Sequence, residues 1–169
     1  MRILVSDTSV LIDLERGQLL EATFALSWEF AVPDLLYKRE LRDHNGPELV
    51  RLGLRVESLD GDGVHTALGY QARMPALSLA DSFALALAKI NNWMLLAGDG
   101  ELRKLAAIER VDYHGVLWLF DQLFTQQAVA ADMLHRSLTT IANHPRCRLP
   151  LRDVRERLEH YSRVMRGET

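Results

Sequence analysis

Four acids in this chain stand at, or just inside, the start of a helix-forming stretch, and their type and spacing fit one chemistry. Asp7 follows Ile3-Leu4-Val5 and opens Asp7-Thr8-Ser9-Val10-Leu11-Ile12. Glu40 lies in a helix that Pro33 begins. Asp81 lies near the start of the apolar stretch Ser78-Leu79-Ala80-Asp81-Ser82-Phe83-Ala84-Leu85. Asp99 follows the strand-like Trp93-Met94-Leu95-Leu96-Ala97. If the strands are parallel neighbours, three of these acids meet at the carboxyl edge of one sheet, where open α/β sheets bind ligands. Two carboxylates about 5 Å apart repel by roughly 3 kcal/mol at an effective dielectric near 20. Three or four together therefore call for protonation or for a divalent cation. An all-oxygen, acid-rich set suits Mg²⁺ or Mn²⁺ rather than Zn²⁺. No His-x-His, His-Glu-x-x-His or paired-cysteine pattern supports zinc, and the six histidines are scattered.

Each acid also has a purely structural reading. Asp is a favoured N-cap, so Asp7 could simply cap the helix after it, although Thr8 and Ser9 offer hydroxyls for the same task. Glu40, beside Lys38 and Arg39, reads as a solvated charge. Yet Leu36 and Tyr37 lie four and three residues before it and place it on an apolar face. Ser78-x-x-Asp81 resembles a capping box, but residues 79–88 hold no other charge, and an unpaired carboxylate on a buried helix is costly. Asp99, between Gly98 and Gly100, reads as a turn aspartate. Taken singly, the residues leave both readings open.

The elements that must position these acids alternate. Strands are expected at 2–6, 28–32, 54–59, 93–97 and 111–113. Helices are expected from about Val10 to Gly17, Gln18 to Leu26, Pro33 to Arg42, Gly61 to Arg73, Ser78 to Asn91 and Glu101 to Ala107. Further helices are expected over about Val116–Phe124, Ala128–Ile141 and Leu151–Val164, with Asn45-Gly46-Pro47 as a helix breaker and residues 143–146 as a linker. Strands alternating with helices predict βαβ units: an α/β fold, a three-layer α/β/α arrangement around a parallel sheet of about four to five strands, plus C-terminal helices. No Gly-x-x-x-x-Gly-Lys, Gly-x-Gly-x-x-Gly or Gly-x-Ser-x-Gly is present.

At 169 residues the chain is long enough for one domain that buries roughly 70% of its unfolded surface. Its single cysteine, Cys147, rules out an internal disulfide and fits a reducing cytoplasm. The apolar stretch after Arg2 is too short for a signal peptide, and no run of 18 apolar residues occurs, so no membrane span is expected. Net charge is −3, unevenly spread: residues 1–145 carry 13 basic and 19 acidic residues, whereas 146–169 carry seven arginines and four acids. The tail reads first as a solvated helix with pairs such as Arg152–Glu156 and Arg155–Glu159, and second as an arm facing phosphates or a partner.

The opening Ile3–Ile12 segment resembles that of PIN domains: a hydrophobic strand, then Asp-Thr-(Asn/Ser)-x-Leu-Ile. Leu77-Ser78-Leu79-Ala80-Asp81 is similar to that family's third-acid helix, Met94–Asp99 to the strand and acid after it, and Glu40 falls where the second acid is expected. The likeness covers about residues 2–120 and is greatest to small bacterial VapC-type toxins. It departs at Ala97, where Thr or Ser is usual. The resemblance implies a PIN-like domain over 1–125; residues 126–169, which it does not cover, are expected to form a helical extension packed on the same domain and ending in a basic tail. It implies a metal-dependent ribonuclease in which Asp7, Glu40, Asp81 and Asp99 hold Mg²⁺ or Mn²⁺, leaving a 5′-phosphate and a 3′-hydroxyl. Ser9 would orient the site by hydrogen bonds, and Lys89, Arg103 and Lys104 are candidates for RNA contact, with ordinary surface charge as their rival reading. It further implies an RNA substrate, a cognate antitoxin and a homodimer. Two rivals stand beside this: a catalytically degenerate PIN-like binding module, which Ala97 keeps open, and an acidic-site α/β phosphatase. Ser9, where a haloacid-dehalogenase pattern needs a second Asp, counts against the latter.

Overall fold

The computed structural model describes residues 2–168. Five short strands, β1 (Ile3–Ser6), β2 (Glu29–Pro33), β3 (Arg55–Glu57), β4 (Met94–Leu96) and β5 (Tyr113–His114), form one sheet in the order β3-β2-β1-β4-β5. Every pairing is parallel, with Leu4 opposite Phe30, Val5 opposite Leu95, Ala31 opposite Arg55 and Leu95 opposite Tyr113. The chain winds outward from β1 to β3, then returns to start β4 on the other side of β1. The strand order therefore reverses between β1 and β4, and their carboxyl ends flank the crevice where such sheets bind ligands.

Helices cover both faces, giving the three-layer α/β/α architecture. Because successive side chains on a strand point to opposite faces, Leu4 and Val5 feed two different cores. Leu4 joins Val10, Leu11 and Leu14 of α1 (Thr8–Arg16) with residues of α8 (Val116–Thr125), α9 (Ala131–Ala142) and α10 (Leu151–Met165). Val5 joins Ala67 and Tyr70 of α5 (Gly61–Arg73), the alanine-rich face of α6 (Leu79–Asn91) and Leu102 and Leu105 of α7 (Gly100–Ile108). Helix α6 has an unbroken buried run from Ser82 to Ala88, so Asp81 is the charge at the mouth of an apolar helix.

The last three helices share the core of the first layer. Leu134, Leu138, Ile141, Val154 and Tyr161 are all buried in it. Ser137 donates to the Gly17 carbonyl at 2.7 Å, fastening α9 to the end of α1. The Arg157 guanidinium grips both Asp121 oxygens, at 2.8 and 2.6 Å, fastening α10 to α8. The expected Arg152–Glu156 pair is present at 3.0 Å; no Arg155–Glu159 pair forms among the described residues.

Three short helices complete the fold, the first two being α2 (Leu20–Phe24) and α3 (Asp34–Leu36). One sequence expectation is corrected at the third. Asn45-Gly46-Pro47 does not merely end a helix; it begins α4 (Gly46–Leu52). Pro47 sits in the first turn, where its missing N–H would have been unpaired in any case. A Cβ on Gly46 would fall 2.6 Å from the Leu41 carbonyl oxygen, so only glycine allows this close return of the chain. The segment ahead of it is also not a plain α-helix: Tyr37–Leu41 is a π turn, closed by Arg42 N–H donating to the Tyr37 carbonyl at 2.8 Å. No helix among the described residues is long and apolar enough to cross a membrane.

Candidate metal centre

Asp7 follows β1 directly and caps α1. Its backbone N–H pairs with the Leu96 carbonyl at 2.9 Å, which locks it to the end of β4. The residue is 1% exposed. One oxygen accepts from the Val10 N–H at 2.9 Å and the Ser9 hydroxyl at 3.0 Å; the other accepts from the Gly98 N–H at 2.7 Å. Burial pushes the Asp7 carboxyl up, and these donors, with the Asp99 N–H, pull it back. The Asp7 carboxylate thus caps α1 while lying against the Gly98 turn at the end of β4, so capping does not by itself exclude a further role. Gly98 makes this packing possible, because a Cβ there would collide with the Ser9 hydroxyl.

Asp99 caps α7, accepting from Leu102 N–H at 2.9 Å. Asp81 lies in the first turn of α6, whose N-cap is Ser78; the Ser78 hydroxyl oxygen accepts from the Asp81 N–H at 3.0 Å. Glu40 arrives from the π turn and is held by the Thr8 hydroxyl, which donates to it. A π turn inserts a residue into the helical repeat and re-aims those around it, a device common at functional sites. Asp60 is an instructive contrast: it caps α5 in the same manner, accepting from Gly63 N–H at 2.8 Å, but at the far edge of the sheet after β3. Capping alone does not bring an acid to the crevice; the strand order does.

The electrostatics tie the four together. The Asp81 carboxyl is pushed up to about 7, first by burial, then by the charges of Asp7, Asp99 and Glu40, against a hydrogen bond from Ser78. Asp81 therefore lies close enough to feel Asp7, Asp99 and Glu40, although 18 to 74 residues separate it from them along the chain. A fifth joins them: Asp13, one helical turn beyond Ser9 on α1, is pushed up by burial and by Asp7 and pulled down by Arg16. Its sequence signal is the i, i+4 spacing from Ser9.

The donor set consists of carboxylate oxygens and hydroxyls, which fits a hard cation such as Mg²⁺ or Mn²⁺. Among the described residues, no three His, Cys, Asp or Glu side chains converge closely enough to ligate one ion directly. That spacing suits a cation that retains several waters and takes few carboxylates directly, as Mg²⁺ does. A positive charge would also offset what raises the Asp81 carboxyl, burial first and the neighbouring carboxylates second.

The basic candidates separate. Arg103 is at the site's flank: its Nε donates to the Ala97 carbonyl at 2.8 Å, and it lies over the Tyr113 ring at 5.8 Å. Lys104 pairs with Glu101 at 3.0 Å on the outer face of α7. Lys89 donates to the Glu109 carbonyl at 2.6 Å and lies beside Trp93, Met94 and Asp112, at the opposite, amino-terminal edge of the sheet. Ala97 is fully buried within the second core, so the side chain there points into apolar packing.

Beside the acids opens a cleft of about 600 Å³. One wall carries Ser9, Asp13, Gly98 and Asp99. The other is the segment Pro145–Leu149, which brings Arg146, Cys147 and Arg148 to the site. The sequence reads 143–146 as a linker and the tail from 146 as a solvated helix or an arm facing phosphates or a partner, with nothing that ties either to the acids, which precede them by some 45 residues or more. A second cleft, of about 570 Å³, lies past the exposed Ile12 on the other side of α1 and is lined by Thr8, Glu40 and His44.

A solved structure of a PilT N-terminus domain protein, SSO1118, from the hyperthermophilic archaeon Sulfolobus solfataricus P2, resembles the chain at 15% identity. The match covers 70% of this chain and 90% of that one, with a TM-score of 0.47. No curated protein matches the sequence. Residues 3–163 match the family model DUF3368, described as a PIN domain, a span that takes in both the four acids and the C-terminal helices. The chain belongs to the PIN-domain family.

Proposed function

We propose that the protein is a metal-dependent endoribonuclease and the toxin of a toxin–antitoxin pair. The observation that carries the nuclease reading is the gathering of Asp7, Glu40, Asp81 and Asp99 around the point where the strand order reverses, close enough that the other three help push the Asp81 carboxyl up. Family membership supports a nuclease-type site. The toxin role, the antitoxin and the homodimer rest on the likeness to small VapC-type proteins.

In this reading Asp7, Asp81, Asp99 and Glu40 hold one or two Mg²⁺ or Mn²⁺ ions. Such an ion supplies Lewis acidity, placing positive charge against the oxygens of a phosphodiester undergoing in-line displacement. Asp7 is the fixed member, since three donors hold its oxygens in place. Ser9 and Gly98 orient it, and Thr8 orients Glu40. Orienting bonds of this kind preserve the donor geometry that the ion requires.

The test is cleavage of RNA by the purified protein with magnesium, with EDTA, and in Asp7→Asn and Asp99→Asn variants. Activity is expected only in the first case; equal cleavage in all four sinks the reading. The spread of the carboxylates also leaves room for a degenerate binding module. Melting temperature in millimolar Mg²⁺ or Mn²⁺ separates the two. An ion bound only by the folded state at 100 times its Kd stabilises by about 2.7 kcal/mol, and a flat titration favours the module.

A further inference from the structure

We propose that the Pro145–Leu149 segment is a phosphate-binding strap, in which Arg146 and Arg148 receive backbone phosphates of single-stranded RNA beside the acids. The inference rests on the nuclease reading and specifies how the substrate is held. Three observations carry it.

The strap is built in place. Cys147 N–H donates to the His144 carbonyl at 2.9 Å, and Arg146 N–H donates to His144 Nδ1 at 3.1 Å, folding the segment on the end of α9. Cys147 and Leu149 pack on the first core, and α9 is itself fastened to α1 through Ser137 and Gly17. The strap thus faces Ser9 and Asp99 across the cleft because the core beneath it fixes both walls.

The second observation is the state of its cations. Four arginines on or just past the flanking helices have carboxylate partners, Arg136 with Asp132, Arg152 with Glu156, Arg157 with Asp121 and Arg166 with Glu168, whereas Arg155 and Arg163 of α10 form no ion pair among the described residues and do not line the cleft. Arg146 and Arg148 are exposed and, among the described residues, form no ion pair. These are the two cations of the basic tail that reach the site.

The third is charge balance. A polyanion approaching five acids is repelled, and an ion at the acids offsets charge only at the phosphate it touches. The neighbouring phosphates need cations on another wall, and guanidinium groups fit them bidentately where ammonium groups act as point charges.

The experiment measures binding of a fluorescein-labelled single-stranded oligoribonucleotide by anisotropy, in magnesium, across a salt series. An Asp81→Asn background prevents turnover. Arg146→Gln/Arg148→Gln is expected to weaken binding by about tenfold or more. The slope of log K against log salt should fall by about 1.4, since each single-strand phosphate contact contributes about 0.7. Arg155→Gln/Arg163→Gln, which removes the same charge from α10, should leave both unchanged, and Arg146→Lys/Arg148→Lys should restore most of the slope. Thermal melts establish that each variant is folded. Unchanged affinity and slope in the glutamine pair overturn the strap while leaving the nuclease reading intact. A parent protein that neither binds nor cleaves the RNA overturns that reading and the strap with it. Equal losses in the α10 control also overturn the strap, because they reflect net charge alone.

Discussion

Replacing Asp81 with asparagine should make the metal-free protein more stable at neutral and alkaline pH. In the folded state the Asp81 carboxyl keeps its proton up to about pH 7, from an ordinary value of 3.8. The folded chain therefore binds that proton more tightly than the unfolded chain. The stability this contributes is fully present below about pH 4, declines as pH rises, and is lost above about 7. Three units correspond to a ceiling of about 4 kcal/mol. The side chain keeps part of its contact with solvent, which screens its neighbours, so about 2 kcal/mol is the realistic figure. For a domain of this size that equals about 4–8 °C in melting temperature. An asparagine side chain cannot ionise, so melts in EDTA should show the Asp81→Asn variant overtaking the parent as pH rises from about 4.5 to about 8. Subtracting the two curves removes the titration of other groups. In saturating Mg²⁺ the gap should close or reverse, because the ion binds the parent's carboxylate. A gap in EDTA that does not change with pH refutes the reasoning, since it means Asp81 ionises as an isolated carboxyl does.

Thr8→Val should leave the fold intact but free Glu40 from its hydroxyl donor; an orienting bond at a metal site is worth about 10–100-fold in activity or metal affinity, read from cleavage rates against magnesium concentration. Gly98→Ala should cost about 1–3 kcal/mol by overpacking, because the added Cβ meets the Ser9 hydroxyl. Ser9→Gly in the same chain should recover much of that stability; the coupling in a double-mutant cycle, measured by denaturant unfolding, should exceed about 0.5 kcal/mol, and strict additivity would rule out the clash.

Much of the fold was legible because its signals are local. Apolar runs of strand length alternate with helical stripes, which specifies βαβ units and hence parallel strands. Asp7, Asp99 and Ser78 sit where a cap is needed, so the helix starts at 8, 79 and 100 could be placed closely. The errors came where a local signal has two outcomes. Gly46-Pro47 breaks one helix and starts the next, and the choice depends on whether the chain has room to turn back on Leu41, which only packing shows. The π turn at Tyr37–Leu41 is equally invisible, since its sequence differs little from that of an ordinary helical turn. In the sequence, Lys89, Arg103 and Lys104 are candidates for RNA contact by charge alone, which does not show where each lies relative to the acids. Lys89 lies near the far end of the helix that Asp81 opens, and a helix of 13 residues carries a side chain to the other edge of the sheet.

The sequence by itself singled out Asp7, Asp81 and Asp99, because each is tied to a strand end or helix start by a spacing of a few residues, while Glu40 rested on the family resemblance. It also determined the layered α/β class and the uneven spread of charge. The tertiary structure decided what those acids face. Strand order placed β1 beside β4 and so joined Asp7 to Gly98 and Asp99 across about ninety residues. Packing of α9 on α1 then carried Arg146 and Arg148 to the same cleft. Such contacts depend on which apolar faces share a core, and that is a property of the whole chain rather than of any window along it.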